Sequence, residues 1–511
     1  MTVDAFRPDV VIIGSGVGGS AVAHKLCGTG AKILILERGD FLPKEPENAD
    51  AEAVFVQSRY KTHEKWQDEQ GRSYRPGQYY YVGGHTKFFG TAMFRFRESD
   101  FREEKFTDGT SPVWPINYDD LEPFYTEAER LFGVRGAAEQ DPSEPPRSSP
   151  YPHAAVPHEP LIADMARRMT QLGLHPFHMP SAIDFGPGGT CRRCGTCDAF
   201  PCRYGAKGDA DTRLLRPLLN HPDVTLWTRA RATRLIADSE SKKIVAVEID
   251  RDGQRMRIDA PLFVLSAGAI NSAILLLQSA TDSLPDGLAN QSGVVGRYLM
   301  NHHLTGLMGV RPFQVNNTRF PKTLSINDFY HGLPDDPSAR GNLQMLGNIA
   351  GPMIRSAYQS IPKTAANWLG RHSVDWLAMS EDLPNHDSRV RLLSGGKIEV
   401  NYRPGGTQSH DRFVRHTQRL LKRAGFPLVL RHSFGIRAPS HQCGTVRMGL
   451  DPDHSALNTQ CRAHSHPNLY VVDSGFFPSS AALNPALTIA AQSLRVGAHL
   501  RDHWRNDTIP H

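Results

Sequence analysis

The strongest constraint on this chain lies in residues 10–37. An unbroken apolar run, Val10-Val-Ile-Ile13, leads into Gly14-Ser-Gly16-Val-Gly-Gly19, and Glu37 closes the next apolar run. Such a run followed by G-x-G-x-x-G reads as a buried strand turning sharply into a helix. Gly14 permits the turn, Gly16 lets the backbone approach a pyrophosphate, and Gly19 packs helix against strand. The helix N-terminus then faces the phosphates, and Glu37 can accept hydrogen bonds from ribose hydroxyls. Strand 9–13, helix 20–26 and strand 32–36 are predicted, the first half of a doubly wound sheet. The loop alone does not separate NAD from FAD.

The chain has 511 residues, too many for one simple core, so two domains or one large composite unit are expected. Its formal charge of +5 is small for that length and no Lys/Arg block concentrates it, which argues against a nucleic-acid partner. Residues 1–8 are too short for a secretory signal, so a cytoplasmic location is expected. The most apolar stretch, 261–280, is interrupted by Ser266, Gly268, Asn271, Ser272 and Gln278. It reads as a buried strand followed by a helix, not as a membrane span. Seven cysteines, four of them in one loop, do not look like a secreted disulfide framework.

Residues 40–80 are polar and irregular. A second glycine turn, Val82-Gly83-Gly84-His85-Thr86, leads through Phe88-Phe89-Gly90 to an Arg-rich stretch at 95–102. Six prolines between 137 and 160 exclude helix interiors and central strands, while Tyr151, His153 and Val156 give that excursion something to bury. Short strands are expected at 224–226, 233–236 and 262–265, with a hairpin at 244–249 and 255–258 around Asp252-Gly253. From 304 to 438 alternating runs such as 397–402 mix with helices such as 409–424, which suggests an antiparallel sheet with helices. The C-terminal part carries Ser440-His441-Gln-Cys-Gly444-Thr445, then Val471-Val-Asp473-Ser-Gly475, then Asn484-Pro485.

These pieces, in this order, resemble the glucose-methanol-choline (GMC) family of FAD oxidoreductases over nearly the whole chain. Gly83-Gly84 with Gly90 resembles the family segment along the flavin. Ala267-Gly-Ala-Ile-Asn-Ser272 resembles its second signature. Gly293-Val-Val-Gly296-Arg297 with His302 and His303, and the motifs from His441 to Pro485, resemble its later segments. The resemblance implies an α/β fold: a Rossmann-like doubly wound FAD domain assembled from 1–60, 81–100, 203–303 and 439–511. A substrate domain on a mostly antiparallel sheet would comprise 61–80, 101–202 and 304–438.

It further implies His441 as the active-site histidine at the flavin and Asn484 as its partner. Gly14, Gly16, Gly19, Glu37, Gly83, Gly84, Ala232, Asp473, Gly475 and Pro485 would form the cofactor site. Ala232 would present backbone to the adenine; Asp473 and Gly475 would contact the pyrophosphate and ribityl chain. His302 and His303 are read as structural. The position where some members attach FAD covalently is Phe88 here, with His85 out of register, so non-covalent FAD is expected. Oxidising an alcohol needs a base for the hydroxyl proton, which a histidine supplies, and a neutral amide to position the same hydroxyl.

Cys191-x2-Cys194-x2-Cys197-x4-Cys202 is close to a ferredoxin spacing but carries an extra residue and no following proline. An iron–sulfur cluster, zinc, and a reduced or partly disulfide-bonded loop all remain open. Lys207 and Asp209 resemble a segment of many bacterial GMC proteins, and Cys27, Cys443 and Cys461 are read as packing residues. The expected reaction is oxidation of a CH–OH group, foremost a secondary hydroxyl (C3 or C2) of a sugar or glycoside. The electron acceptor is oxygen or an artificial or protein acceptor. Alternatives are a dehydrogenase subunit with a cluster at the cysteine loop, a sterol or other alcohol oxidase, and a flavoprotein without alcohol chemistry.

Overall fold

The fold is described from a computed structural model and covers residues 7–240, 242–438 and 441–505. Ser440 and the first six residues lie outside that range, so the start of the histidine motif and most of the segment weighed as a signal are not described.

A five-stranded parallel sheet forms the nucleotide-binding half. Its order is Val224–Trp227, Ile33–Leu36, Val10–Ile13, Leu262–Leu265, Leu469–Val471. The three central strands are wholly buried, which explains their unbroken apolar sequences: both faces are covered. Helix Val17–Leu26 packs against the long helix Ala486–Arg505 on this sheet. The first strand has Ile33–Leu36 on one side and Leu262–Leu265 on the other. The chain therefore changes winding direction there, and a crevice opens beyond the carboxyl ends at Gly14. Gly14 has φ +106°, and a Cβ there would lie 2.2 Å from the Ser266 carbonyl oxygen, so the turn admits only glycine.

The helix begins at Val17, three residues before the expected start. The hairpin is longer than expected, Ile244–Arg251 with Gln254–Asp259, and Asp252 and Gly253 both take positive φ. Among the described residues, no helix is long and apolar enough to cross a membrane.

A six-stranded antiparallel sheet forms the second half. Its order is Leu428–Phe434, His303–Val310, Ser373–Ser380, Asn342–Met345, Leu324–Ile326, Phe177–His178. Leu307, Leu324, Leu343, Met345 and Trp376 pack one core with Ile162 and Met165 of helix Pro160–Gln171 and Phe413 and Leu421 of helix Thr407–Arg423. Residues 40–80 are not wholly irregular: Trp66–Asp68 and Ser73–Tyr74 join a small sheet with Arg389–Leu392 and Ile398–Asn401. The proline-rich excursion buries Val156 and stacks Tyr151 under Arg147, 3.7 Å from its ring centroid. His153 is exposed, contrary to expectation, because it sits in the two-residue strand His153–Ala154 with its side chain toward solvent.

Candidate active site

The glycine turns meet around Ser15. Its hydroxyl donates to Glu37 Oε2 at 2.6 Å and accepts from Gly83 N–H at 3.1 Å. Glu37 also accepts from Ser15 N–H and, through Oε1, from Gly39 N–H at 2.8 Å. Burial raises the Glu37 carboxyl above its ordinary value, and the Ser15 and Gly39 hydrogen bonds oppose that shift. Nothing stands within 4 Å of a Cβ built on Gly16, and a Cβ on Gly84 would lie 3.2 Å from Gly16 Cα. Two backbones thus border open space at the N-terminus of a ten-residue helix, which suits a dinucleotide pyrophosphate.

Ala232 lies on strand Ala230–Ala237 where its pairing slips, two residues after Ala230 N–H donates to the Glu37 carbonyl. Asp473 serves as an organiser: Oδ2 accepts from Ser272 Oγ at 2.5 Å and Gly268 N–H at 3.0 Å, and Oδ1 accepts from Gly475 N–H at 2.9 Å. It ties together two of the segments singled out in the sequence, 267–272 and 471–475. Burial raises its carboxyl too, against those three hydrogen bonds.

The histidine motif is fastened on both sides. Cys443 and Met300 exchange backbone hydrogen bonds of 2.9 Å, Gly444 N–H donates to the Ser474 carbonyl, and Gln78 Nε2 donates to Gln442 Oε1 at 2.7 Å. This pairing brings His302 edge-on to His441, with ring centroids 4.9 Å apart at 89°. His441 is pushed down to about 4, first by burial and then by Lys322 and His85, while Asp198 acts the other way. The imidazole is therefore neutral near pH 7, and its buried Nδ1 has no hydrogen-bond partner among the described residues. Burial and His441 hold His302 well below its ordinary value.

His302, read from the sequence as structural, packs directly against His441. His303 keeps that role, with Nε2 on the Gly405 carbonyl and its ring stacked on His410. Asn484 and Pro485 immediately precede helix Ala486–Arg505, and Asn484 Oδ1 accepts from Gln344 Nε2 at 2.9 Å.

Lys322, Asp198 and Gln344 escaped the sequence reading. Lys322 Nζ pairs with Asp198 Oδ1 at 2.5 Å, and Asp198 Oδ2 accepts from Gly347 N–H at 2.6 Å. Asp198 belongs to the cysteine-rich loop, so that loop borders the site. Buried Lys207 fastens it by donating to the carbonyls of Phe89, Cys197 and Phe200 at 2.6–2.7 Å. All seven cysteines are free thiols. Among the described residues, no group of three or more His, Cys, Asp or Glu is arranged to hold a metal ion. Cys443 and Cys461 are buried packing residues, as expected, and Cys27 is half-buried. Phe88 stacks on Tyr79 at 3.9 Å inside an aromatic cluster, and His85, whose surface is exposed, packs edge-on against Tyr79.

Comparison with known proteins places this chain in a family. Residues 77–304 match the N-terminal GMC oxidoreductase domain and residues 384–493 the C-terminal one. The chain is 34% identical to 6'''-hydroxyparomomycin C oxidase of Streptomyces lividus, over 98% of this chain and 93% of that one. It is 32% identical to paromamine 6'-oxidase of Streptomyces fradiae, over 95% and 90%. The crystal structure of pyridoxine 4-oxidase from Mesorbium loti superposes with a TM-score of 0.68 at 19% identity, covering 97% of this chain and all of that one. Two matching domains around a glycine-lined crevice, and relatives aligned end to end, make this chain a member of the FAD-dependent GMC oxidoreductases.

Proposed function

We propose that this chain oxidises a hydroxyl of an amino sugar or related glycoside. His441 takes the hydroxyl proton, Asn484 holds the hydroxyl oxygen, non-covalent FAD accepts the hydride and oxygen is the terminal acceptor. The observation that carries the reading is the state of His441: half-buried, neutral, wedged against His302, with a buried Nδ1 that has no partner among the described residues. A neutral imidazole is the form that accepts a proton, and Asp198 favours the cation that results. Bound FAD supplies the two-electron chemistry.

Gly14, Gly16 and Gly19 open the pyrophosphate cradle, with Gly83, Gly84 and Gly475 as its other backbone walls. Glu37 addresses the ribose and Ala232 the adenine edge; Pro485 starts the helix that follows Asn484. Phe88 offers no nucleophile for a covalent link. The sequence resemblance favours a secondary hydroxyl at C3 or C2. The 6''' and 6' positions in the two relatives' names favour the exocyclic carbon of a hexose ring, and we take the latter.

The test is an anaerobic titration of FAD-loaded protein with paromamine and with a simple methyl glycoside, followed by admission of air. Bleaching by paromamine, an aldehyde product trapped by a hydrazine, and peroxide on re-oxidation are expected. A ketone product would return the oxidised carbon to the ring. A flavin that no alcohol bleaches would sink the reading.

A further inference from the structure

The sheet that carries the second core has a polar face, and that face is buried. In strand Asn342–Met345, Leu343 and Met345 enter the apolar core while Asn342 and Gln344 point the other way, opposite Ser325. The exposure of Asn342, Gln344 and Ser325 is 0%. Their amides form one chain of hydrogen bonds. Asn327 Nδ2 donates to Asp141 Oδ2 at 2.7 Å, Asn342 Nδ2 to Asn327 Oδ1 at 2.7 Å, Gln344 Nε2 to Asn342 Oδ1 at 2.8 Å, and Gln344 Nε2 again to Asn484 Oδ1 at 2.9 Å.

The direction of that chain is not arbitrary. Asp141 is ion-paired with buried Arg97, and an ionised carboxylate only accepts. Asn327 must therefore turn its nitrogen to Asp141 and its oxygen to Asn342. Asn342 must then donate to Asn327 and accept from Gln344. Gln344 is left facing both neighbours with its nitrogen, and its Oε1 is buried without a partner among the described residues. A side chain that contacts Asn484 with a donor fixes Asn484's oxygen toward itself, which leaves Asn484's nitrogen for the site.

We infer that Gln344 is a positioning residue for the oxidation. Set by a one-way amide relay from Asp141, it turns Asn484 so that Nδ2 donates to the reacting oxygen. This rests on the reading of Asn484 proposed above. It makes the second active-site residue a donor to the oxygen that loses its proton to His441. An amide oxygen presented there would compete with His441 for that proton and repel the developing negative charge.

Neutron diffraction from a perdeuterated crystal of the FAD-loaded protein reads the amide directly. Deuterium on the Gln344 nitrogen facing a bare Asn484 oxygen is expected; deuterium on Asn484 facing Gln344 would overturn the inference. Kinetics give the second arm, with paromamine as the probe and anaerobic flavin reduction as the signal. Gln344→Met should lower the limiting rate about tenfold and move the half-saturation concentration less than about twofold, since orientation and not affinity is lost.

In the Asn484→Ala background the same substitution should change the rate less than about twofold, because the relay acts through Asn484. An undiminished effect there would assign Gln344 a packing role only. If paromamine leaves the wild-type flavin oxidised, the substrate reading fails, and the neutron map then decides the relay by itself.

Discussion

At the scale of single residues, the site turns on how far burial moves a histidine. His441 is pushed down to about 4 by burial, with Lys322 the largest charged contribution. A base must be neutral, so activity should fall on the acid side only as His441 becomes protonated. The rate of flavin reduction is expected to stay level from pH 8 to 5 and to decline toward pH 4; a decline centred near 6.5 would mean that the pocket does not desolvate the ring. His441→Ala should retain FAD yet slow reduction at least about a hundredfold, the scale of losing a general base.

Lys322→Met removes a cation and leaves Asp198 unpaired beside the imidazole. Both changes favour the charged ring, so the acid limb should move up by about one pH unit or more, each unit being 1.36 kcal/mol. An unmoved limb would place Lys322 outside the electrostatics of the base. His441 stands out in the sequence because Gly444 and Thr445 follow it in a motif. Lys322 was not: a lysine in a loop reads as solvated until the fold buries it against Asp198.

At the scale of elements, the parallel sheet was the most legible part, since strands buried on both faces leave unbroken apolar runs. The polar face of Asn342–Met345 left a fainter trace. Asn-Leu-Gln-Met alternates as any half-exposed strand does, and only the fold shows that the amide side is as buried as the apolar side. The cysteine-rich loop left a partial trace. Its spacing drew attention to the thiols, and the fold adds Asp198, which pairs with Lys322, and Lys207, which fastens the loop.

Lys207→Met would leave the carbonyls of Phe89, Cys197 and Phe200 without that donor. Each buried group so orphaned costs about 1–3 kcal/mol, so a clear loss of stability is expected. Because Phe89 adjoins the second glycine turn, weaker FAD retention should accompany faster proteolysis within 185–205. Loss of stability with FAD retention unchanged would separate the loop from the cofactor site.

At the scale of the whole molecule, buried titratable groups set how stability responds to pH. His441 and His410 are pushed down to about 4 and about 3, chiefly by desolvation. Their folded values lie below the ordinary 6.5, so their contribution is complete above pH 6.5 and is lost as pH falls toward 4. Four carboxyls, Asp375 and Asp382 buried and Asp100 and Glu381 half-buried, act oppositely: desolvation raises Asp100 and Asp382 to about 6, Asp375 to about 7 and Glu381 to about 8. Their contribution is complete below about pH 4 and is lost as pH rises through those values.

Between 4 and 6.5 the two sets oppose each other. Between 6.5 and 8 only the carboxyls still titrate, so the melting temperature should be nearly level on the acid side and fall between pH 6.5 and 8. Glu381 is the group to test, because its partner is the Ser111 hydroxyl, which donates at 2.6 Å, and Asp100 discourages its ionisation. Glu381→Gln keeps the shape and cannot ionise, so thermal unfolding of that variant should show a smaller alkaline decline than the parent. An identical decline in both would mean that Glu381 ionises freely in the folded protein and that water reaches its side of the sheet.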